Sequence, residues 1–91
     1  MSQLTENKEE TLVEEKASFS KKIVLYNDDH NSFDTVIDCL MTYCKHTGTQ
    51  AEQCAMIIHY KGKCSVKEGD FLDLIPIHGA LIDNNLNAEI E

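Results

Sequence analysis

The stretch KIVLYNDDHNSF, residues 22–33, decides the fold, because it places a strand, a polar turn and a helix start in direct succession. Residues 22–26 are rich in β-branched and aromatic side chains, which is typical of a strand. Residues 27–32 are Asn, Asp, His and Ser, and such polar side chains compete for backbone hydrogen bonds, so they end strands and begin helices. The stretch predicts that the side chains of the turn converge at the protein surface.

The residues after this turn predict a first helix from Phe33 to about His46. Asn31 or Ser32 is expected to cap its start, and Gly48 is expected to terminate it. Its apolar residues recur at helical spacing on one face. They are Phe33, Val36, Ile37, Leu40, Met41 and Cys44.

A second helix is predicted from Gln50 to about Lys61, with Gly62 ending it. Its start signal is TQAE, residues 49–52, which matches the capping box of Ser or Thr followed three residues later by Glu. Alternating apolar and polar residues then predict a strand from Lys63 to Lys67.

The remainder predicts a third helical region and a final strand. The helical region opens at Gly69 and Asp70, and Pro76 is expected to kink or split it because proline lacks an amide hydrogen. Residues 86–91 suit a short strand. The resulting order β-α-α-β-α-β predicts a small α+β sandwich, a three-stranded sheet covered by three helices on one face.

Residues 1–20 differ from the rest and are expected to form an acidic, mobile N-terminal tail, with residues 21–91 as the folded domain. The chain of 91 residues carries sixteen acidic and eight basic residues, a net charge of −8. This balance argues against nucleic acid and anionic membranes as partners and suits a basic partner or a cationic ligand. The chain lacks a run near ~20 apolar residues and an apolar signal core, so a cytoplasmic location and reduced cysteines are expected.

Two sets of residues are candidates for a binding site. Asn27, Asp28 and Asp29 supply acceptor oxygens and negative charge, which suit a protonated amine. His59 ends the apolar stripe of the second helix, and a neutral imidazole nitrogen can accept a hydrogen bond from an amine. The alternatives are a plain turn and helix cap at residues 27–29, and a core or cap histidine at position 59.

Metal binding and catalysis have little support in the sequence. The chain has no C-x-x-C or H-x-x-x-H spacing, and no third carboxylate is fixed beside Asp28 and Asp29. A Cys–His pair can meet in space from any sequence positions, but nothing marks a cysteine as activated. We therefore expect no cofactor, no metal and no enzymatic activity.

Residues 22–33 and 51–63 together resemble the ClpS adaptor family. The family's signatures are N-D-D after the first strand and H-Y-x-G-K at the end of the second helix, and both occur here in that order. The resemblance implies a fold shared with the C-terminal domain of a ribosomal stalk protein. It also implies an adaptor, expected to be a monomer, that carries proteins with N-terminal Leu, Phe, Tyr or Trp to a Clp AAA+ unfoldase. The N-terminal domain of a ClpA- or ClpC-type unfoldase would be the partner.

The resemblance also implies roles for individual residues. Asn27, Asp28 and His59 would bind the α-amino group, and Asp29 and Asn31 would form the pocket rim. The hydrophobic pocket would be lined by Phe33, Val36, Ala55, Ile58 and Leu86.

This sequence departs from the family at the two positions where a methionine is often found, which hold Phe33 and Ala55 here. The smaller Ala55 should enlarge the pocket, whereas Phe33 should fill part of it. This departure leaves open a second reading, a protein-interaction regulator of an AAA+ unfoldase that does not recognise N-termini.

Overall fold

The central strand of the sheet is β1 (Lys21–Tyr26), as the run of apolar residues in this segment predicts. In this computed structural model, which describes residues 20–91, β1 pairs antiparallel with β2 (Lys63–Gly69) on one side and β3 (Asn87–Ile90) on the other. Tyr26 is in register with the first residue of each neighbouring strand. The polar turn that follows Tyr26 therefore lies where all three strands meet at one end of the sheet.

The described residues also form three helices: α1 (Phe33–Tyr43), α2 (Gly48–Lys61) and α3 (Phe71–Asp83). The order is β1-α1-α2-β2-α3-β3, so the predicted α+β architecture is confirmed. The core is formed by buried side chains from every helix and strand. Its members include Ile23, Leu25, Leu40, Ile58, Val66, Leu74, Leu81 and Ala88.

The boundary between α1 and α2 differs from the prediction. Helix α1 ends at Tyr43, because Lys45 adopts a left-handed conformation with φ of 62° that a helix cannot continue through. His46 is therefore outside the helix and buried, with its Nε2 atom 2.7 Å from the carbonyl oxygen of Val66. Gly48 begins α2 rather than terminating α1.

The cap of α2 is also two residues earlier than predicted. Thr47 is the N-cap, and the backbone N–H of Gln50 donates to its hydroxyl over 3.1 Å. Residues 47–50 match the capping-box pattern as well as residues 49–52 do, so the pattern alone could not choose between the two starts. The predicted end at Gly62 is correct, since Gly62 has a φ of 94°.

Helix α3 continues through Pro76 without being split. Pro76 is exposed, whereas Leu74 and Leu81 are buried and hold the helix on the core, so packing maintains the helix despite one missing backbone hydrogen bond. The last two strands match the predicted segments with bounds shifted by one or two residues. The tail predicted over residues 1–20 lies outside the described residues except for Ser20, which is exposed. Among residues 20–91, no helix combines the length and apolar character needed to cross a membrane.

Candidate functional site

Asp28 organises the turn between β1 and α1. Its Oδ1 atom accepts hydrogen bonds from the backbone N–H groups of His30 and Asn31, over 2.8 and 2.9 Å. The Asn31 side-chain amide donates to Oδ2 over 3.1 Å and lies 3.3 Å from Oδ1. Most of the turn's hydrogen bonds therefore use Oδ1, and Oδ2 retains capacity to accept a bond from a ligand.

The carboxyl group of Asp28 is held in its ionised form. Partial burial raises its pKa, but the hydrogen bonds from the Asn31 backbone, the Asn31 side chain and the His30 backbone together lower the pKa below its ordinary value of 3.8. A full negative charge is consequently present beside the pocket at neutral pH.

Ser32 rather than Asn31 caps α1. The backbone N–H of Thr35 donates to the Ser32 hydroxyl over 3.1 Å. Asn31 instead connects this turn to the turn before β3, since its side-chain amide also donates to the carbonyl oxygen of Asn85 over 2.8 Å. The two residues that were equal candidates for the cap thus have separate structural tasks.

A pocket of about 550 Å³ opens between this turn and the two helices α1 and α2. It is lined by Asn27, Asp28, Asp29, Asn31, Phe33, Val36, Ala55, Met56, Ile58, His59 and Tyr60. The polar residues of the turn and His59 therefore adjoin an apolar wall contributed by α1 and α2. The structure brings together every residue singled out from the sequence except Leu86.

Leu86 lies elsewhere. It is 4% exposed, belongs to the core cluster, and contributes to a neighbouring groove rather than to the pocket. Sequence reasoning missed Met56 and Tyr60, which line the pocket although they are not on the buried stripe of α2. The available signal was their position, because Met56 is next to Ala55 and Tyr60 is next to His59 on the same helix.

His59 is placed at the pocket by the end of α2. The helix ends in a left-handed glycine at Gly62, just before β2 begins. The carbonyl oxygen of Gly62 accepts a hydrogen bond from the backbone N–H of Asn27 over 2.9 Å. This bond ties the end of α2 to the polar turn. The imidazole is exposed, and its ring lies edge-on to Tyr60, with a centroid distance of 5.1 Å and an interplanar angle of 77°.

The electrostatics of the pocket favour a cation. Asp28 and Asp29 supply carboxylates, and among residues 20–91 neither Lys nor Arg lines the pocket. The side chains of Asn27 and His59 make no hydrogen bond to any other part of residues 20–91, so the Asn27 oxygen and one imidazole nitrogen are available as acceptors. Over the same residues, no three His, Cys, Asp or Glu side chains are grouped as metal ligands would be. The arrangement suits a protonated amine attached to an apolar group.

Comparison with known proteins places the chain in a family. The family model described as ATP-dependent Clp protease adaptor protein ClpS matches residues 16–75. The ATP-dependent Clp protease adapter protein ClpS of Acetivibrio thermocellus is 36% identical over 63 residues, which cover 69% of this chain. The protein of the same name from Shewanella halifaxensis is 36% identical over 63 residues, covering 65% of this chain. The chain belongs to the ClpS family of adaptor proteins.

The sequence matches cover part of each relative, and a solved structure shares the fold. The chain spans 64% of the length of the first relative and 62% of the second. The structure of Agrobacterium tumefaciens ClpS2 bound to L-phenylalaninamide superposes with a TM-score of 0.63 at 17% identity, over 79% of this chain and 96% of that one. At this identity the likeness establishes a common fold.

Proposed function

We propose that this protein binds the free N-terminus of polypeptides that begin with Leu, Phe, Tyr or Trp and delivers them to a Clp AAA+ unfoldase. The observation that carries the proposal is the pocket itself, in which an acidic, acceptor-rich rim meets an apolar wall. Asn27, Asp28 and His59 would bind the α-amino group, with Asp29 and Asn31 supporting the rim. The N-terminal side chain would lie against Phe33, Val36, Ala55 and Ile58.

The relatives support this assignment. ClpS2 of Agrobacterium tumefaciens was solved with L-phenylalaninamide, a ligand that carries a free amine beside a benzyl side chain. The pocket of about 550 Å³ falls within the range of roughly 300–1,000 Å³ typical of small-ligand sites. A ligand of this kind would place its amine at the rim and its ring against the apolar wall.

The expected affinity is moderate. Burying a Leu or Phe side chain contributes ~1.5–3 kcal/mol, and two or three charge-assisted hydrogen bonds add about 1.5–3 kcal/mol each. With contributions near the upper end of these ranges, about 12 kcal/mol, and an association cost near its lower end, about 4 kcal/mol, the net is near −8 kcal/mol, which corresponds to micromolar binding. Such affinity suits an adaptor, because cargo must be released to the unfoldase.

The test is a titration of fluorescent peptides that begin with Phe, Leu, Tyr, Trp or Arg, each with an N-acetylated control. We expect micromolar binding of the free-amine hydrophobic peptides and loss of binding on acetylation, which removes the charge of the amine. Equal binding of the acetylated and free forms would reject the proposal. Delivery is tested separately, by the degradation rate of a Phe-initiated reporter with ClpA- or ClpC-type unfoldase and peptidase.

A second candidate function is protein docking without recognition of N-termini. It is favoured by the exposed apolar side chains of α3, where Phe71 is 50% exposed, Leu72 77% and Ile75 43%. Crosslinking to the unfoldase with and without a competing Phe-initiated peptide separates the two. Unfoldase crosslinking together with no peptide binding would favour the docking function alone.

A further inference from the structure

A second groove adjoins the pocket and shares a wall with it. Asp28 and Asn31 line both. The groove has a volume of about 700 Å³, and its other lining residues are His30, Ile82, Asn85, Leu86 and Asn87. A ligand held in the pocket can therefore continue over this wall and remain in contact with the protein.

The shared wall is fixed by hydrogen bonds. The Asn31 amide nitrogen donates to Asp28 Oδ2 over 3.1 Å and to the Asn85 carbonyl oxygen over 2.8 Å, which occupies both amide hydrogens. Asn85 itself has a φ of 66°, a left-handed conformation that asparagine tolerates well. The wall thus joins the turn after β1 to the turn before β3, and a preorganised surface of this kind costs little ordering entropy on binding.

The chemistry of the groove suits a polypeptide main chain. Asn85 and Asn87 are exposed, and each side-chain amide offers both a donor and an acceptor, as a peptide group does. Asn87 is also the first residue of β3, which is an edge strand of the sheet. Ile82, 44% exposed, provides an apolar surface beside these amides. Within the described part of the chain, neither Lys nor Arg lines the groove, which disfavours an anionic ligand.

We propose that residues two to four of the bound polypeptide lie in this groove, with their main chain hydrogen-bonded to the side chains of Asn85 and Asn87. The proposal rests on the N-terminal binding function proposed above. An extended segment of three residues spans about 10 Å, and the two cavities adjoin directly because Asp28 and Asn31 line both. The protein would then read the N-terminal residue in the pocket and hold the adjoining chain in the groove.

The experiment compares two ligands by isothermal titration calorimetry: L-phenylalaninamide, which reaches the pocket alone, and the tetrapeptide amide Phe-Ala-Ala-Ala. We expect the tetrapeptide to bind about 10-fold more tightly, since two neutral hydrogen bonds are worth a few-fold each. Asn87→Ala and Asn85→Gly should reduce this advantage and leave L-phenylalaninamide binding unchanged. Asn85→Gly preserves the left-handed backbone. Gln53→Ala, at an exposed amide on α2 that lines neither cavity, is the matched control and should change neither affinity.

The outcomes separate this proposal from the one on which it rests. If both ligands bind equally, or if the ratio is the same in the asparagine variants as in the parent protein, the groove does not hold the chain. If neither ligand binds, the N-terminal binding function itself fails and the groove proposal fails with it. Backbone amide NMR shifts give an independent reading, because residues 85 and 87 should respond to the tetrapeptide and not to L-phenylalaninamide.

Discussion

Replacing Asp28 with Asn tests whether the carboxylate of the turn binds the amine. The substitution removes the negative charge but keeps one carbonyl oxygen, which can still accept the backbone N–H groups of His30 and Asn31. Its amide nitrogen cannot accept the bond that the Asn31 side chain donates to Oδ2 in the parent protein. The variant therefore retains most of the turn while losing the charge.

The expected loss in binding follows from the kind of bond removed. A hydrogen bond to a charged group contributes about 1.5–3 kcal/mol, so affinity for a Phe-initiated peptide should fall roughly 10- to 150-fold. The free energy of unfolding should fall by about 1 kcal/mol, the net contribution of one hydrogen bond. A change of that size lowers the melting temperature by about 4–8 °C in a domain of this size.

The loss of stability should depend on pH in a defined direction. Because the pKa of Asp28 is lowered in the folded protein, its carboxylate stabilises the fold at pH values above 3.8, the ordinary value. That contribution is lost as the pH falls through the lower, folded-state pKa. Urea unfolding of the parent and Asp28→Asn proteins should show a constant difference at neutral pH that shrinks below pH 3.8.

The binding assay is fluorescence anisotropy with the free and acetylated forms of one Phe-initiated peptide. Asp38→Asn is the matched control, since Asp38 is exposed on α1, lies outside the pocket and changes the net charge equally. Salt screens the field of an exposed charge that makes no contact with the ligand, so the control should bind as the parent does. If folded Asp28→Asn protein bound the free-amine peptide with parental affinity, the Asp28 carboxylate would not be a ligand of the amine.

Three further predictions concern single side chains. Ala55→Met should fill part of the pocket and weaken binding of Trp- and Phe-initiated peptides relative to Leu-initiated ones. Phe33→Ala should enlarge the pocket and strengthen binding of Trp- and Phe-initiated peptides relative to Leu-initiated ones. Equal shifts in affinity for all peptides in the titration would contradict this. His59→Ala should weaken free-amine peptides about 3- to 10-fold with little change in melting temperature because the side chain is exposed, and an unchanged affinity would count against its role as acceptor. Burial, together with contact with the Cys64 thiol, raises the pKa of Cys54 to about 12. Because the thiolate is the reactive form, iodoacetamide at pH 8 should modify Cys54 far more slowly in the native protein than in urea. Similar rates by mass spectrometry would contradict the packing of these thiols.

The order of helices and strands could be predicted because each element carries a strong local signal. The apolar run before Asn27 and the glycine at position 62 each admit one interpretation, and both agree with the structure. The start of α2 could not be predicted, because two overlapping segments satisfy the same capping pattern, and the structure uses Thr47 as the cap. The end of α1 could not be predicted either, because it depends on the left-handed backbone at Lys45. Nothing in the residue type predicts that conformation, since a lysine adopts a positive φ only when the surrounding packing holds it there.

The candidate site was predictable where its residues belong to short sequence segments. The site residues between positions 27 and 31 are close together in sequence, and so are those between positions 55 and 59. Locating one residue of a segment therefore locates its neighbours too. Leu86 is different, because its position depends on how α3 and β3 pack against the turn, and that packing directs its side chain into the core and towards the groove. Met56 and Tyr60 were missed for a related reason, since an apolar stripe identifies the buried face of a helix and not the edge that borders a cavity.

For Asp28, the turn-forming and ligand-binding interpretations are compatible rather than exclusive. One carboxylate has acceptor sites on both oxygens, and the turn uses chiefly Oδ1. The hydrogen bonds that stabilise the turn also lower the pKa of Asp28 below its ordinary value, so forming the turn favours the charged form that an amine would bind. A turn that depended on a neutral side chain would leave the rim without this charge. An aspartate at this position therefore serves both the turn and the proposed binding site, since one oxygen accepts the backbone bonds and the charge remains for an amine.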